Sequence, residues 1–251
     1  MYKLCNDFAA RHSFSVTLVG CGGTGGFVAE GLCRILPPHA SLVLIDHDRV
    51  EERNLCRQCF SRDDLGQFKS EVLARRLSKR FERAISFTTM PVGMLEIEVP
   101  GLVIGCVDNG LARRDIAEAV KDKLCSPSGH AGWWVDAGNG DNYGQVLIGD
   151  AHRLNLCRPD GDTYHFLPLP TIQRPDLLRQ VPPARDCAAI AEEQGPTINL
   201  AMAALVIEVV RRIIAGTCFW VQLYLDMEAG TLIPVLATPE TINALKRKGG
   251  E

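Results

Sequence analysis

The chain has 251 residues, 46% of them hydrophobic and 23% charged, the mix of a globular protein rather than a disordered one. Its 27 Lys and Arg against 30 Asp and Glu leave a formal charge of −3, which argues against nucleic acid as a partner. No apolar run is long enough for a membrane span and no basic stretch leads into an apolar one as in an export signal, so a cytoplasmic protein is expected.

The first strand is predicted over Ser15–Val19 and runs into Gly20-Cys-Gly-Gly-Thr-Gly-Gly26. A helix follows from Phe27 to about Leu36, stopped by Pro37-Pro38, and then a second strand, Ser41–Ile45, ends at Asp46. Strand, glycine turn, helix and strand form the opening βαβ unit of a doubly wound α/β fold with a mostly parallel, Rossmann-like sheet. Gln67–Glu82 reads as an amphipathic helix, Ile85–Met90 and Leu102–Val107 as strands, and Ala112–Leu124 as a helix. Strands are expected at Trp133–Ala137 and Gln145–Ile148, around a turn from Gly138 to Gly144. Residues 151–186 lose all periodicity and hold prolines at 159, 168, 170, 175, 182 and 183, the signature of a long crossover loop. An apolar helix, Pro196–Ala215, comes next, then antiparallel strands Trp220–Leu225 and Leu232–Leu236, and a tail from 238 to 251. One domain over residues 1–251 accommodates all of these elements.

The glycine turn offers backbone N–H groups at a helix N-terminus, where the helix dipole favours an anion. Gly20, Gly22 and Gly25 fit a dinucleotide fingerprint, and Asp46 stands where a ribose hydroxyl would be bound. A diphosphate is satisfied largely by such a turn, whereas a triphosphate with a leaving pyrophosphate calls for further cations. Arg57 and Lys69 are placed to supply them, and Asp108, at the carboxyl edge of a strand, to hold Mg²⁺.

Gly20-x-Gly-Gly-x-Gly25, Asp46-x-Asp48, Asn54-Leu-x-Arg57-Gln58, Lys69 and Asp108-Asn109 together resemble the adenylation domain of the ThiF/MoeB and ubiquitin-activating enzyme superfamily. The likeness spans about Val16 to Leu236 and includes Asp186-Cys187-Ala. It points most closely to stand-alone bacterial ThiF-like proteins. It implies that the C-terminal glycine carboxylate of a ubiquitin-like or sulfur-carrier protein attacks the α-phosphate of ATP, giving an acyl-adenylate and pyrophosphate. By that resemblance the glycines, Gly23 among them, cradle the nucleotide. Asp46 binds ribose, Asn54, Arg57 and Lys69 take the phosphates, and Asp108 holds Mg²⁺; Asp48, Gln58 and Asn109 belong to the same motifs. Cys187 would be the nucleophile that receives the acyl group as a thioester, before a conjugating-enzyme-like protein. A homodimer is also implied.

Departures from the family pattern carry information too. Relatives commonly hold structural zinc through two Cys-x-x-Cys pairs, but the corresponding regions offer only Cys157 and Cys218, which argues against zinc. Cys56-Arg-Gln-Cys59 has no second pair and reads as coincidence. Dimers of the family donate an N-terminal arginine to the partner's site, and here only Lys3 and Arg11 precede the first strand. Alternatives are activation of a small-molecule or tRNA-borne carboxylate, or a catalytically silent ThiF-like partner subunit. An NAD-dependent oxidoreductase would leave Arg57, Gln58 and Lys69 idle.

Overall fold

The computed structural model of the chain describes residues 1, 3–4, 13–95, 101–121, 132–150, 159–161, 163–164, 167–179 and 196–248. Strand β1 (Lys3–Leu4) is followed by β2 (Phe14–Val19), α1 (Gly23–Ile35), β3 (Ala40–Ile45), α2 (Lys69–Phe81) and β4 (Ile85–Thr88). Then come β5 (Gly101–Gly105), α3 (Gly110–Val120), β6 (Trp133–Asn139) and β7 (Tyr143–Gly149). The chain continues through β8 (Pro159–Asp160), β9 (Thr163–Tyr164), the one-turn helix α4 (Pro170–Gln173) and α5 (Pro196–Ile214). It closes with the hairpin β10 (Trp220–Asp226) and β11 (Thr231–Leu236) and with α6 (Pro239–Lys248).

Eight strands form the main sheet in the order β11-β10-β7-β6-β5-β2-β3-β4. From β6 to β4 the neighbours are parallel, and β7, β10 and β11 add antiparallel strands at the other end. Every residue of β2 is buried, as befits a central strand covered on both faces. Its alternate residues serve two cores. Val16 and Leu18 join Val28, Leu32, Val206 and Ile213 beneath α1 and α5, while Val19 joins Val103, Ile116 and Trp134 beneath α3. The result is the α/β/α layering expected of a doubly wound sheet, with β1, β8 and β9 making a separate small sheet.

Several boundaries differ from the sequence expectations, each for a packing reason. Helix α1 starts at Gly23, not Phe27, and its first turn, including Thr24, Gly25 and Gly26, is buried. A side chain at Gly25 would collide with the Gly20 carbonyl, so close packing overrides the poor helix propensity of glycine. Strands β6 and β7 extend into the expected turn and leave only residues 140–142 between them. Gly144 packs against Met202 and Gly138 against Gln145 and Arg113, so both glycines serve close approach rather than turning. Helix α2 ends at Phe81 because Glu82 adopts a left-handed conformation, φ 50°.

Among its described residues, the crossover region 151–186 is not structureless. It carries β8, β9, α4 and a 3-10 turn, Pro175–Arg179. Buried Gln173 ties it to the sheet, donating through Nε2 to the carbonyls of Ile148 and Pro168 at 2.7 Å and accepting from Gln222 Nε2 at 2.8 Å. Among the described residues no helix is long and apolar enough to cross a membrane.

Candidate functional site

Parallel strands end at one edge of the sheet, and here β2, β3 and β5 deliver Gly20, Asp46 and Asp108 to a single crevice of about 1270 Å³. The crevice opens at the switch point where β3 lies on one side of β2 and β5 on the other. Gly20 has φ +89°, and a Cβ there would stand 2.5 Å from the Cys106 carbonyl, so only glycine fits on both counts. Gly22 precedes α1 without any side-chain cap, and no acidic residue occupies the first turn, which leaves the helix N-terminus open to an anion. Asp46 is buried beside it, accepting from Cys21 N at 2.6 Å and Asp48 N at 2.8 Å. Burial raises the Asp46 carboxyl above its ordinary pKa, and the nearby Lys69 ammonium opposes that rise.

The segment after β3 brings the cations. Asn54 is buried in a 3-10 turn, Glu52–Asn54, where its Oδ1 caps the Glu51 amide at 2.9 Å. Arg57 and Gln58 follow on the same turn and line the crevice. Gln58 lies over Gly22, and its buried Oε1 finds no hydrogen-bond partner among the described residues. Lys69 opens α2, is 9% exposed along its side chain, and holds Asp48 Oδ2 at 3.0 Å.

Asp108 is exposed on the facing wall. Asn109 donates to its Oδ1 at 3.0 Å while its own Oδ1 caps α3 at Ala112 N, 2.9 Å away. Beneath them lies a pair that sequence reasoning missed. Arg113 donates through Nε to Asp136 Oδ2 at 3.0 Å, with the two side chains 1% and 0% exposed, and through Nη2 to the Val107 carbonyl at 2.8 Å. Burial raises the Asp136 carboxyl, and Arg113 opposes the rise. Bonded to the carbonyl just before Asp108, Arg113 holds the segment that follows β5 from below.

Asn199 was missed as well, since it comes from α5, far along the chain. It lines the crevice, with its Oδ1 accepting from Thr24 Oγ1 at 3.1 Å and from Asn139 Nδ2 at 3.4 Å. No local signal marks it; an asparagine three residues after Pro196 reads as an ordinary early-helix residue.

The structure therefore brings Gly20, Gly22, Gly23, Asp46, Asp48, Asn54, Arg57, Gln58, Lys69, Asp108 and Asn109 to one crevice. Gly25 serves packing instead. Cys187 and Arg11 lie outside the described residues. Cys56 and Cys59 are free thiols, with burial pushing Cys59 up to about 12. Among the described residues no group of cysteines gathers at metal-binding distance.

The sequence profile described as the ThiF family matches residues 8–217. Ubiquitin-like modifier-activating enzyme 5 from Dictyostelium discoideum is 31% identical over 177 residues, 62% of this chain and 44% of that protein. The Drosophila virilis enzyme of that name is 28% identical over 188 residues, 68% of this chain and 43% of that one. The chain thus spans less than half the length of these curated relatives. Solved structures with a similar fold include E. coli MccB with ATP, with a TM-score of 0.60 and 20% identity over 90% of this chain and 64% of that one. PaaA also aligns, with a TM-score of 0.60 and 18% identity over 89% of this chain and 64% of that one.

Proposed function

Because the chain belongs to the ThiF family, we propose that it is an ATP-dependent adenylyltransferase acting on the C-terminal glycine carboxylate of a ubiquitin-like or sulfur-carrier protein. The observation that carries this reading is the convergence of an uncapped helix N-terminus, Arg57, Lys69 and Asp108 on one crevice. The buried Gln58 Oε1 beside Gly22, without a partner among the described residues, supports it, because such an acceptor suits a site completed by a ligand's hydroxyl or amino group.

A carboxylate oxygen forms a bond to the α-phosphorus of ATP. The bond from that phosphorus to the bridging oxygen breaks, and its electron pair leaves on pyrophosphate. Little covalent work falls to the protein, so positioning and charge neutralisation dominate. The α1 N-terminus and the glycine amides hold phosphate oxygens, and Arg57 balances the charge that develops on the leaving group. Lys69 joins it by turning from the exposed carboxylate of Asp48. Asp46, already fixed by two amides, keeps lone pairs for a ribose hydroxyl. The exposed oxygens of Asp108 suit a hard cation, so Asp108 would hold Mg²⁺, which when bound neutralises phosphate charge. Thiols at Cys21, Cys33, Cys59, Cys106 and Cys218 are all raised by burial and are poor thiolates. We assign acyl transfer to Cys187, which would expel AMP and form a thioester.

ATP–pyrophosphate exchange, measured with small glycine-terminated proteins encoded beside this chain, tests the reading. Exchange should require such a protein, and Asp108→Ala or Arg57→Ala should lower it roughly 10²–10³-fold. Wild-type exchange in either variant removes that residue from the site. An adduct labile to thiol reductant, lost only in Cys187→Ala, tests the thioester.

A further inference from the structure

We infer that Asn199 is a phosphate-side binding residue of the crevice, an assignment that rests on the ATP reading above and extends it to a third structural element. The side chain is buried, 3% exposed, in the first turn of α5. Its Oδ1 accepts from the Thr24 hydroxyl and from the Asn139 amide. The Thr24 hydroxyl divides its one hydrogen between Asn139 Oδ1 and Asn199 Oδ1, both at 3.1 Å, and with the Asn139 amide also donating to it the Asn199 oxygen is assigned to that side and Nδ2 to the other.

That other way is toward the glycine turn. A Cβ at Gly23 would stand 2.5 Å from Asn199 Nδ2, so the amide lies against the first residue of α1, where no side chain caps the helix. Among the described residues the acceptor Nδ2 reaches there is the Arg57 carbonyl at 3.5 Å, the outer limit of a hydrogen bond. A carboxamide nitrogen carries two N–H groups. One long bond therefore leaves donor capacity aimed between the α1 amides and the Arg57 turn, where the phosphates of ATP are placed. This also gives Gly23 a reason that the fingerprint does not, since any side chain there would push the amide out of the crevice.

The rival role is a purely structural clamp joining α1, β6 and α5. Asn199→Asp separates the two, because a carboxylate keeps both bonds accepted from Thr24 and Asn139 but replaces the phosphate-facing donor with negative charge. The measurement is equilibrium binding of ATP with Mg²⁺, and of adenosine, to the full chain. The variant should bind ATP more weakly by roughly tenfold or more while adenosine binding is unchanged. ATP affinity equal to wild type overturns the assignment, and so does an equal loss for ATP and adenosine. If Asn199→Asp loses its cooperative unfolding transition, Asn199→Ala carries the test, with a several-fold loss confined to ATP. Wild-type protein that binds neither nucleotide overturns the ATP reading and this assignment together. Wild-type binding with an unaffected variant overturns this assignment alone.

Discussion

At the rim of the crevice Lys69 meets Asp48, and on its floor Arg113 meets Asp136, both at 3.0 Å. The distances match, but the surroundings do not. Asp48 is 58% exposed, so water would take over its carboxylate if Lys69 turned to a phosphate as proposed. Asp136 and Arg113 are sealed in, and neither ion can leave without stranding the other. A pair whose carboxylate is open to water can exchange partners as proposed, even with the Lys69 side chain only 9% exposed. One that must hold the segment beneath Asp108 belongs on the floor.

Substitutions should widen that contrast in a definite order. Arg113→Met leaves a buried carboxylate unpaired and should cost about 3–5 kcal/mol of stability in urea denaturation. Its deficit should grow with pH. The folded Asp136 carboxyl is raised above its unfolded value, so the folded state binds more protons. Stability is then lost as pH rises from the ordinary carboxylate range through the folded value. Arg113 is the group that holds the rise down, so its removal steepens the loss. A cost below about 1 kcal/mol, as for an exposed pair, would erase the distinction between floor and rim. Lys69→Met should reduce pyrophosphate exchange by about 2.7–4 kcal/mol at the transition state, with a much smaller change in stability. Asp48→Asn should have the least effect, about 0.2–1 kcal/mol of salt-sensitive stability and a smaller loss of exchange than Lys69→Met.

What the sequence disclosed and what it hid follow the same division. The rim was legible because its residues sit in short runs after strand ends. Gly20 to Gly23, Asp46, Asn54 to Gln58, Lys69 and Asp108 are marked by local spacing, and the fold lines up the ends of parallel strands. The floor was not. The Thr24 to Asn199 bond spans 175 positions, and that from Arg113 to Asp136 joins a helix to the next strand across 23. No periodicity announces such contacts. Arg113 looks like one more polar residue on a helix with Arg114 beside it, until β6 packs over it. The late start expected for α1 has a related cause, since glycine propensity is read locally but was overruled by the contact between Gly25 and the Gly20 carbonyl.

Calorimetric titration of the full chain with ATP and Mg²⁺, run beside an identical titration with NAD⁺, goes most directly to the claim that this crevice is built for a triphosphate. Saturable binding of ATP that collapses in Lys69→Met, with no heat from NAD⁺, is the predicted result. Saturable binding of NAD⁺ that survives Lys69→Met, with none of ATP, would contradict it.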